Sequence, residues 1–349
     1  MRREDANVTE QHYVIIGNGP AGNEATRHLR ENDPECRITV VAADRLPYIP
    51  RYNLFRVLDG VEDWRELLAH PPEYYEEMRI TLRRNTLVTS VDTGRKMIGL
   101  KHKEWLPYDK LLVASGGGGY LPEDLRDYRG LIHPFGSFED AVRLKQDLPE
   151  AGQVVMLGGD MMGIYLGQKL IQLGYRVTLI TDVHLFWPHK LGERDPTPYY
   201  HALEKAGFDL VNGKKVVRIE QGEAGLSPRR VICEDESVYT ADVVLGCYGL
   251  MPKLDFMAHA GLDVQRGLLC TPELQTSDEN IWAAGDVCQI WSPEENQYRV
   301  SYEWNSVKNM GRVAAINMAG GHEVINTFSE GDVGLDEHGN LTSPFWDFD

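Results

Sequence analysis

A glycine pattern that joins a strand to a helix occurs twice in this chain, once whole and once altered. Tyr13-Val14-Ile15-Ile16 runs into Gly17-Asn18-Gly19-Pro20-Ala21-Gly22, a complete G-x-G-x-x-G, and Val154-Val155-Met156-Leu157 runs into Gly158-Gly159-Asp160-Met161-Met162-Gly163. In such a turn the first glycine permits a sharp bend, the second lets bare backbone approach a diphosphate, and the third lets the helix pack closely on its strand. The second copy carries an aspartate at the middle position. A carboxylate there stands where an anionic ligand would arrive.

The surroundings of the first copy suit a nucleotide site. The helix after it places Ala21, Ala25 and Leu29 on one face and is expected to end at Asn32-Asp33-Pro34. Its first amides and positive dipole end would face phosphates. A second strand, Cys36-Arg37-Ile38-Thr39-Val40-Val41, leads to Asp44, at about the ~20-residue spacing of the acid that binds an adenosine ribose.

Bulk properties narrow the class. At 349 residues the chain is long enough for two domains. Its 36 basic and 53 acidic side chains leave a formal charge of −17, which argues against nucleic acid and anionic lipid as partners. No apolar run reaches membrane-span length and Met1-Arg2-Arg3-Glu4-Asp5 lacks a signal-peptide core, so a cytoplasmic location is expected. Cys36, Cys233, Cys247, Cys270 and Cys288 form no C-x-x-C pair and read as reduced and structural. The histidines lack metal-ligand spacing, so no metal site is expected.

Three further segments carry a family resemblance. Tyr108-Asp109-Lys110-Leu111-Leu112-Val113-Ala114-Ser115-Gly116-Gly117, Ala241-Asp242-Val243-Val244-Leu245-Gly246-Cys247-Tyr248-Gly249 and Asn280-Ile281-Trp282-Ala283-Ala284-Gly285-Asp286-Val287 resemble, in order and flanking strands, the motifs of the pyridine nucleotide-disulfide oxidoreductase superfamily. The branch of rubredoxin, ferredoxin and nitrite reductase flavoproteins is the most similar. The resemblance covers about Tyr13 to Gly320 and implies FAD at Gly17, Gly19, Pro20, Ala21, Gly22, Asp44, Ala114, Ser115, Gly116, Gly285 and Asp286. Gly285-Asp286 is expected to close a strand and open a helix, with the Asp286 carboxylate on the ribityl hydroxyls. Pro47-Tyr48-Ile49-Pro50-Arg51 resembles the family's loop beside the flavin, where Arg51 either contacts phosphates or faces solvent.

Departures from the family pattern shape the expected function. In the second unit Gly158, Gly159, Gly163 and Asp182 are the candidate residues for NAD(H), and no arginine adjoins Asp182 to favour a 2′-phosphate. A carboxylate ~4 Å from a phosphate charge costs about 1 kcal/mol in water and about 4 kcal/mol at a partly buried site. Alternatively Asp160 turns away and caps the helix, since aspartate is a good N-cap. Tyr165 stands where the family has an acid, and Leu250-Met251-Pro252 replaces a basic segment. No redox dithiol follows the first unit, so electrons leave the flavin without a protein thiol. The family's C-terminal interface domain is not expected here, and the segment that ends Pro344-Phe345-Trp346-Asp347-Phe348-Asp349 is expected to be either a folded-back anchor or a docking element for a partner.

The expected architecture is α/β, two Rossmann-like three-layer dinucleotide-binding domains with the second inserted in the first. Residues 1–120 and 241–326 form the FAD-binding domain, 121–240 the insert and 327–349 a tail. Glu62 to Glu77 reads as a solvated helical insert and Gly116 to Gly119 as a flexible crossover. The expected activity is FAD-dependent transfer of electrons between NAD(H) and an iron-sulfur protein or subunit. No side chain is expected to act as acid or base, because the flavin carries the chemistry. The alternative is an FAD-carrying subunit of a larger redox complex that has lost nicotinamide binding.

Overall fold

The computed structural model describes residues 10–222, 228–328, 332–343 and 346. The chain divides into two compact units, the first made of residues 1–48, 68–117 and 252–329, the second of 49–67, 118–251 and 330–349.

In the first unit a five-stranded sheet runs in the order Ile281–Ala283, Lys110–Val113, His12–Ile16, Arg37–Val41, Ile80–Arg83, with every pairing parallel. Parallel strands are covered on both faces and therefore read as continuous apolar runs. Val14, Ile15, Leu111, Leu112 and Val113 are fully buried accordingly, each worth ~1.5–3 kcal/mol of transfer free energy for a large side chain. Helix Pro20–Asn32 returns between the first two strands and stops where Asp33 donates its N–H to Leu29 O. Helix Trp304–Met318 packs tightly against it, since a Cβ added at Gly311 would lie 2.2 Å from Ala21 O.

The second unit repeats the plan with four parallel strands, Asp209–Asn212, Arg176–Thr181, Gln153–Gly158 and Val243–Cys247. Helix Met161–Gln172 follows the second glycine turn and ends at Leu173, with Gly174 at φ +92° behind it. That positive φ is the conformation for which glycine is the default residue after a helix. A three-stranded antiparallel sheet, Val216–Glu220, Arg229–Cys233 and Val238–Ala241, completes the unit.

Several sequence expectations require correction. Strand Val243–Cys247 is hydrogen-bonded along Gln153–Gly158, so the return to the first unit falls at Pro252 and not at Ala241. The sheet of the second unit needs that strand to cover its edge. The stretch from Glu62 to Glu77 is helical only in two short segments, the 3-10 helix Trp64–Leu67 and the α-helix Tyr74–Glu77, and it is not wholly solvated, since Leu67 and Tyr75 are buried. Its apolar members are core residues of two different units. Gly117–Gly119 forms a strand paired with Leu250–Pro252 in place of a flexible crossover. All five cysteines are buried and free.

Candidate functional site

The first glycine turn is built to leave its backbone bare. Gly17 sits at φ +108° and donates its N–H to Val41 O at 2.8 Å, and a Cβ there would lie 2.2 Å from Ala114 O. At Gly22 a Cβ would lie 2.1 Å from Gly17 O, whereas Gly19 has nothing within 4 Å of the Cβ position. The flanking glycines are therefore required by packing and the middle one by the space above it. Helix Pro20–Asn32 starts with Gly19 as N-cap, takes no side-chain cap and has no acid in its first turn. Pro20 has no N–H to satisfy, and the amides of Ala21 and Gly22 lie in the first turn, where no intrahelical acceptor exists. An anion is the natural partner of such an end.

A polar network supports this turn. Tyr75 OH accepts from Asn18 Nδ2 at 2.8 Å and from Asn23 Nδ2 at 3.4 Å, and His70 Nε2 meets Asn23 Oδ1 at 2.7 Å. Burial pushes the Tyr75 phenol up and the His70 imidazole down from their ordinary values. The Oδ1 of Asn18 is buried with no hydrogen-bond partner among the described residues. A buried acceptor at the turn is a feature that a ligand donor would satisfy. Sequence reasoning missed Tyr75, which lies 57 residues from Asn18.

The remaining FAD candidates lie partly around this turn. Ala114 donates its N–H to Ile16 O at 2.8 Å, which fixes the start of Ala114-Ser115-Gly116 beside Gly17; Ser115 is exposed and Gly116 has φ +65°. Ala284 donates to Val113 O at 3.0 Å, setting Gly285 at φ +84°. A Cβ at Gly285 would lie 3.5 Å from Ala21 Cβ, so the Gly285-Asp286 turn and the first glycine turn are neighbours. Gly285 donates its N–H to Met310 Sδ at 3.3 Å, on helix Trp304–Met318. The expected helix at Asp286 is absent: a turn leads directly into strand Cys288–Ser292, and the helix beside Gly285 comes from farther along the chain. Asp286 is half-buried. Burial pushes the Tyr302 phenol up to about 12, with Arg266 opposing and the Asp286 charge adding. Asp44 lies exposed beyond strand Arg37–Val41, its carbonyl accepting from Asn85 N–H at 2.8 Å. Arg51 belongs to the second unit, where its charge acts on Asp160.

A cavity of ≈ 190 Å³ opens on the same unit between helix Trp304–Met318 and the segment after it, lined by Ser301, Asn305, Ser306, Asn309 and Met310 among others. Ser301 is 5% exposed, and its Oγ is buried with no hydrogen-bond partner among the described residues. The polar residues recur at one face of the helix, next to the methionine that holds Gly285.

The second turn differs from the first in nearly every respect that matters for an anion. Asp160 is the N-cap of helix Met161–Gln172: Oδ1 accepts from Gly163 N–H at 2.6 Å and Oδ2 from Gly249 N–H at 2.7 Å. Burial pushes this carboxyl above its usual range, while the amides of Gly163 and Gly249 and the Arg51 charge pull it back. Asp160 therefore caps the helix, and it points neither outward nor at open space. Gly159 N and Asp160 N both donate to Cys247 O, at 2.7 and 2.9 Å, and Met161 N donates to Trp187 O at 2.9 Å. The segment from Asp182 to His189 bends back over the turn, with Phe186 N–H donating to Gly159 O at 2.7 Å and the Trp187 ring against Gly249. Asp182, the candidate ribose acid, accepts from His184 N at 3.0 Å and lies 2.7 Å from His184 Nδ1. Gly158, Gly159 and Gly163 thus keep the turn, but its amides already have acceptors within the chain.

Among the described residues no group of three or more His, Cys, Asp or Glu is placed to hold a metal ion. Among them, no helix is long and apolar enough to cross a membrane.

Comparisons with known proteins agree on one family. The sequence pattern of the family described as pyridine nucleotide-disulphide oxidoreductase matches residues 11–316. The NADH-dependent phenylglyoxylate dehydrogenase subunit epsilon of Aromatoleum evansii is 26% identical over 325 residues, covering 90% of this chain and 74% of the relative. The nitric oxide reductase FlRd-NAD(+) reductase of Klebsiella pneumoniae is 27% identical over 278 residues, covering 79% and 72%. Among solved structures, the covalent putidaredoxin reductase–putidaredoxin complex matches with a TM-score of 0.81 at 25% identity, covering 94% of this chain and 79% of that one.

Proposed function

The chain belongs to the pyridine nucleotide-disulphide oxidoreductase family, and from that premise we propose that it passes electrons between NAD(H) and an iron-sulfur electron-transfer protein or subunit, using FAD. The family is one of FAD-containing, NAD(H)-dependent oxidoreductases. The observation that carries the reading is the first glycine turn, with open space above Gly19 and a helix end that no side chain caps.

In this reading the unit made of residues 1–48, 68–117 and 252–329 is the FAD-binding domain. Gly17, Gly19, Pro20, Ala21 and Gly22 would hold the diphosphate, Asp44 the adenosine ribose, and Ala114, Ser115, Gly116, Gly285 and Asp286 the flavin half. FAD supplies the redox chemistry, taking two electrons as hydride and releasing them singly. The chain's own residues bind and orient; none is assigned as acid or base. Gly158, Gly159, Gly163 and Asp182 would position NAD(H) on the second unit. The names of two relatives, a dehydrogenase subunit and a putidaredoxin reductase in complex with putidaredoxin, support a carrier protein or partner subunit as electron acceptor. A hetero-oligomeric assembly and a cytoplasmic location are part of the same proposal.

A second reading is favoured by one observation, the Asp160 carboxylate bonded to Gly163 and Gly249. In it the chain is an FAD-carrying electron-transfer subunit that has lost nicotinamide binding. Anaerobic mixing with NADH separates the two. Bleaching of the flavin band within seconds supports the first, whereas no bleaching with NADH but reduction by a low-potential ferredoxin supports the second.

A further inference from the structure

The described residues of the C-terminal segment pack on the second unit and reach the helix that follows the second glycine turn. Strands Gly334–Leu335 and Leu341–Thr342 form a hairpin, and Val333 before it and Leu341 within it belong to the apolar core of the second unit. Arg194 anchors its start through Asp332 at 2.8 Å and Val333 O at 3.0 Å, and Lys205 Nζ donates to His338 O at 2.6 Å. Ser343 Oγ lies 3.4 Å from His189 Nε2, on the segment that bends over the turn. Trp346 then donates its indole N–H to Met161 O at 2.8 Å, and its ring centroid lies 6.2 Å from that of Tyr165.

Met161 and Tyr165 are four residues apart and share one face of the helix at its start, one turn above the other. This is the helix end toward which a dinucleotide's diphosphate would point. Asp160 supplies an anion to that end from within the turn, and Trp346 takes the volume along its flank. Neither contact is needed to build the sheet, whose strands pair independently of both.

We propose that Trp346, seated by the hairpin of residues 332–343, is an affinity-determining residue for nicotinamide nucleotide: nucleotide binding and docking of the indole on Met161 exclude one another. The inference rests on NAD(H) being a substrate of the second unit, as proposed above. Because the two events compete for one place, the coupling is reciprocal. Removing the indole tightens nucleotide binding, and bound nucleotide loosens the hairpin.

The test uses the full-length holoprotein and equilibrium dialysis of NADH under anaerobic conditions, a readout independent of flavin reduction. Trp346→Ala is expected to bind NADH roughly threefold to tenfold more tightly than the parent, the range that loss of one competing hydrogen bond and its ring contact would give. Trp346→Phe, which keeps a ring and loses the donor, is expected between the two. In the parent protein, saturating NADH is expected to speed amide exchange across 332–343. Equal or weaker binding by Trp346→Ala, absence of binding in all three proteins, or unchanged exchange would overturn the inference. Tighter binding by the variant without any flavin reduction would instead sink the electron-transfer reading and leave this one standing.

Discussion

Asp160 Oδ2 accepts the Gly249 N–H at 2.7 Å across 89 residues of sequence, tying the second glycine turn to the end of the neighbouring strand. With its other oxygen on Gly163, this one carboxylate occupies an amide of the helix's first turn, where a bound diphosphate would have to compete with it. The first turn has no such occupant.

Replacing Asp160 with glycine frees both amides. NADH binding is expected to tighten by between about fivefold and several hundredfold, the equivalent of ~1–4 kcal/mol of removed repulsion. The same change removes an N-cap, which costs only a few tenths of a kcal/mol when glycine replaces it, and takes the acceptor from the Gly249 N–H, which costs about 1–3 kcal/mol where that amide stays buried. Dialysis and thermal melting of the variant check the two effects separately.

Nucleotide affinity should depend on pH through the same group. Burial raises the folded-state pKa of Asp160, so its protonated form persists to higher pH in the folded protein than in the unfolded chain. The stability linked to that protonation is complete below the unfolded pKa and is lost as pH rises through the folded value. Arg51 and Cys247 are the other titratable groups that face it, and burial pushes the Cys247 thiol well above its ordinary range. NADH affinity is therefore expected to improve as pH falls through the raised Asp160 pKa. The slope should vanish in Asp160→Asn, measured by rapid mixing before acid degrades the nucleotide.

Tyr75→Phe should loosen the first turn without touching the ligand. The hydroxyl accepts from both Asn18 and Asn23, so its loss leaves buried donors without an acceptor. A stability loss of ~1–3 kcal/mol is expected, together with FAD release that is roughly tenfold faster. A melting curve and the rate of flavin fluorescence recovery on dilution check both.

The parallel sheets and the first turn were legible because local chemistry dictates them. Only glycine fits at Gly17 and Gly22, and continuous apolar strands accompany a parallel sheet covered on both faces. Asp160 left two readings open, since aspartate suits a cap and opposes a phosphate equally well; the choice depended on Gly249, which no local pattern reveals. Gly285-Asp286 was misread because a glycine-aspartate turn before a strand looks like one before a helix. Tyr75 carried no recognisable signal and owes its role to a contact with a distant segment, and the partners of Gly311, Met310 and Trp346 likewise lie far away in the chain. Of the tail Pro344-Phe345-Trp346-Asp347-Phe348-Asp349, only Trp346 falls within the described residues, and it is folded back on the second unit.

If the first turn holds FAD through bare backbone, Gly19→Asp, which copies the second turn into the first, should abolish binding. Gly19 has φ −82° and open space around its Cβ position, so an aspartate fits there as an N-cap without strain. The measurement is flavin absorbance of the purified variant beside that of the parent, with melting temperature as the control for folding. The parent is expected to be yellow with stoichiometric FAD, and the variant folded, colourless and unable to take up added FAD. A folded variant as yellow as the parent, or a well-folded parent that refuses FAD, would contradict this expectation.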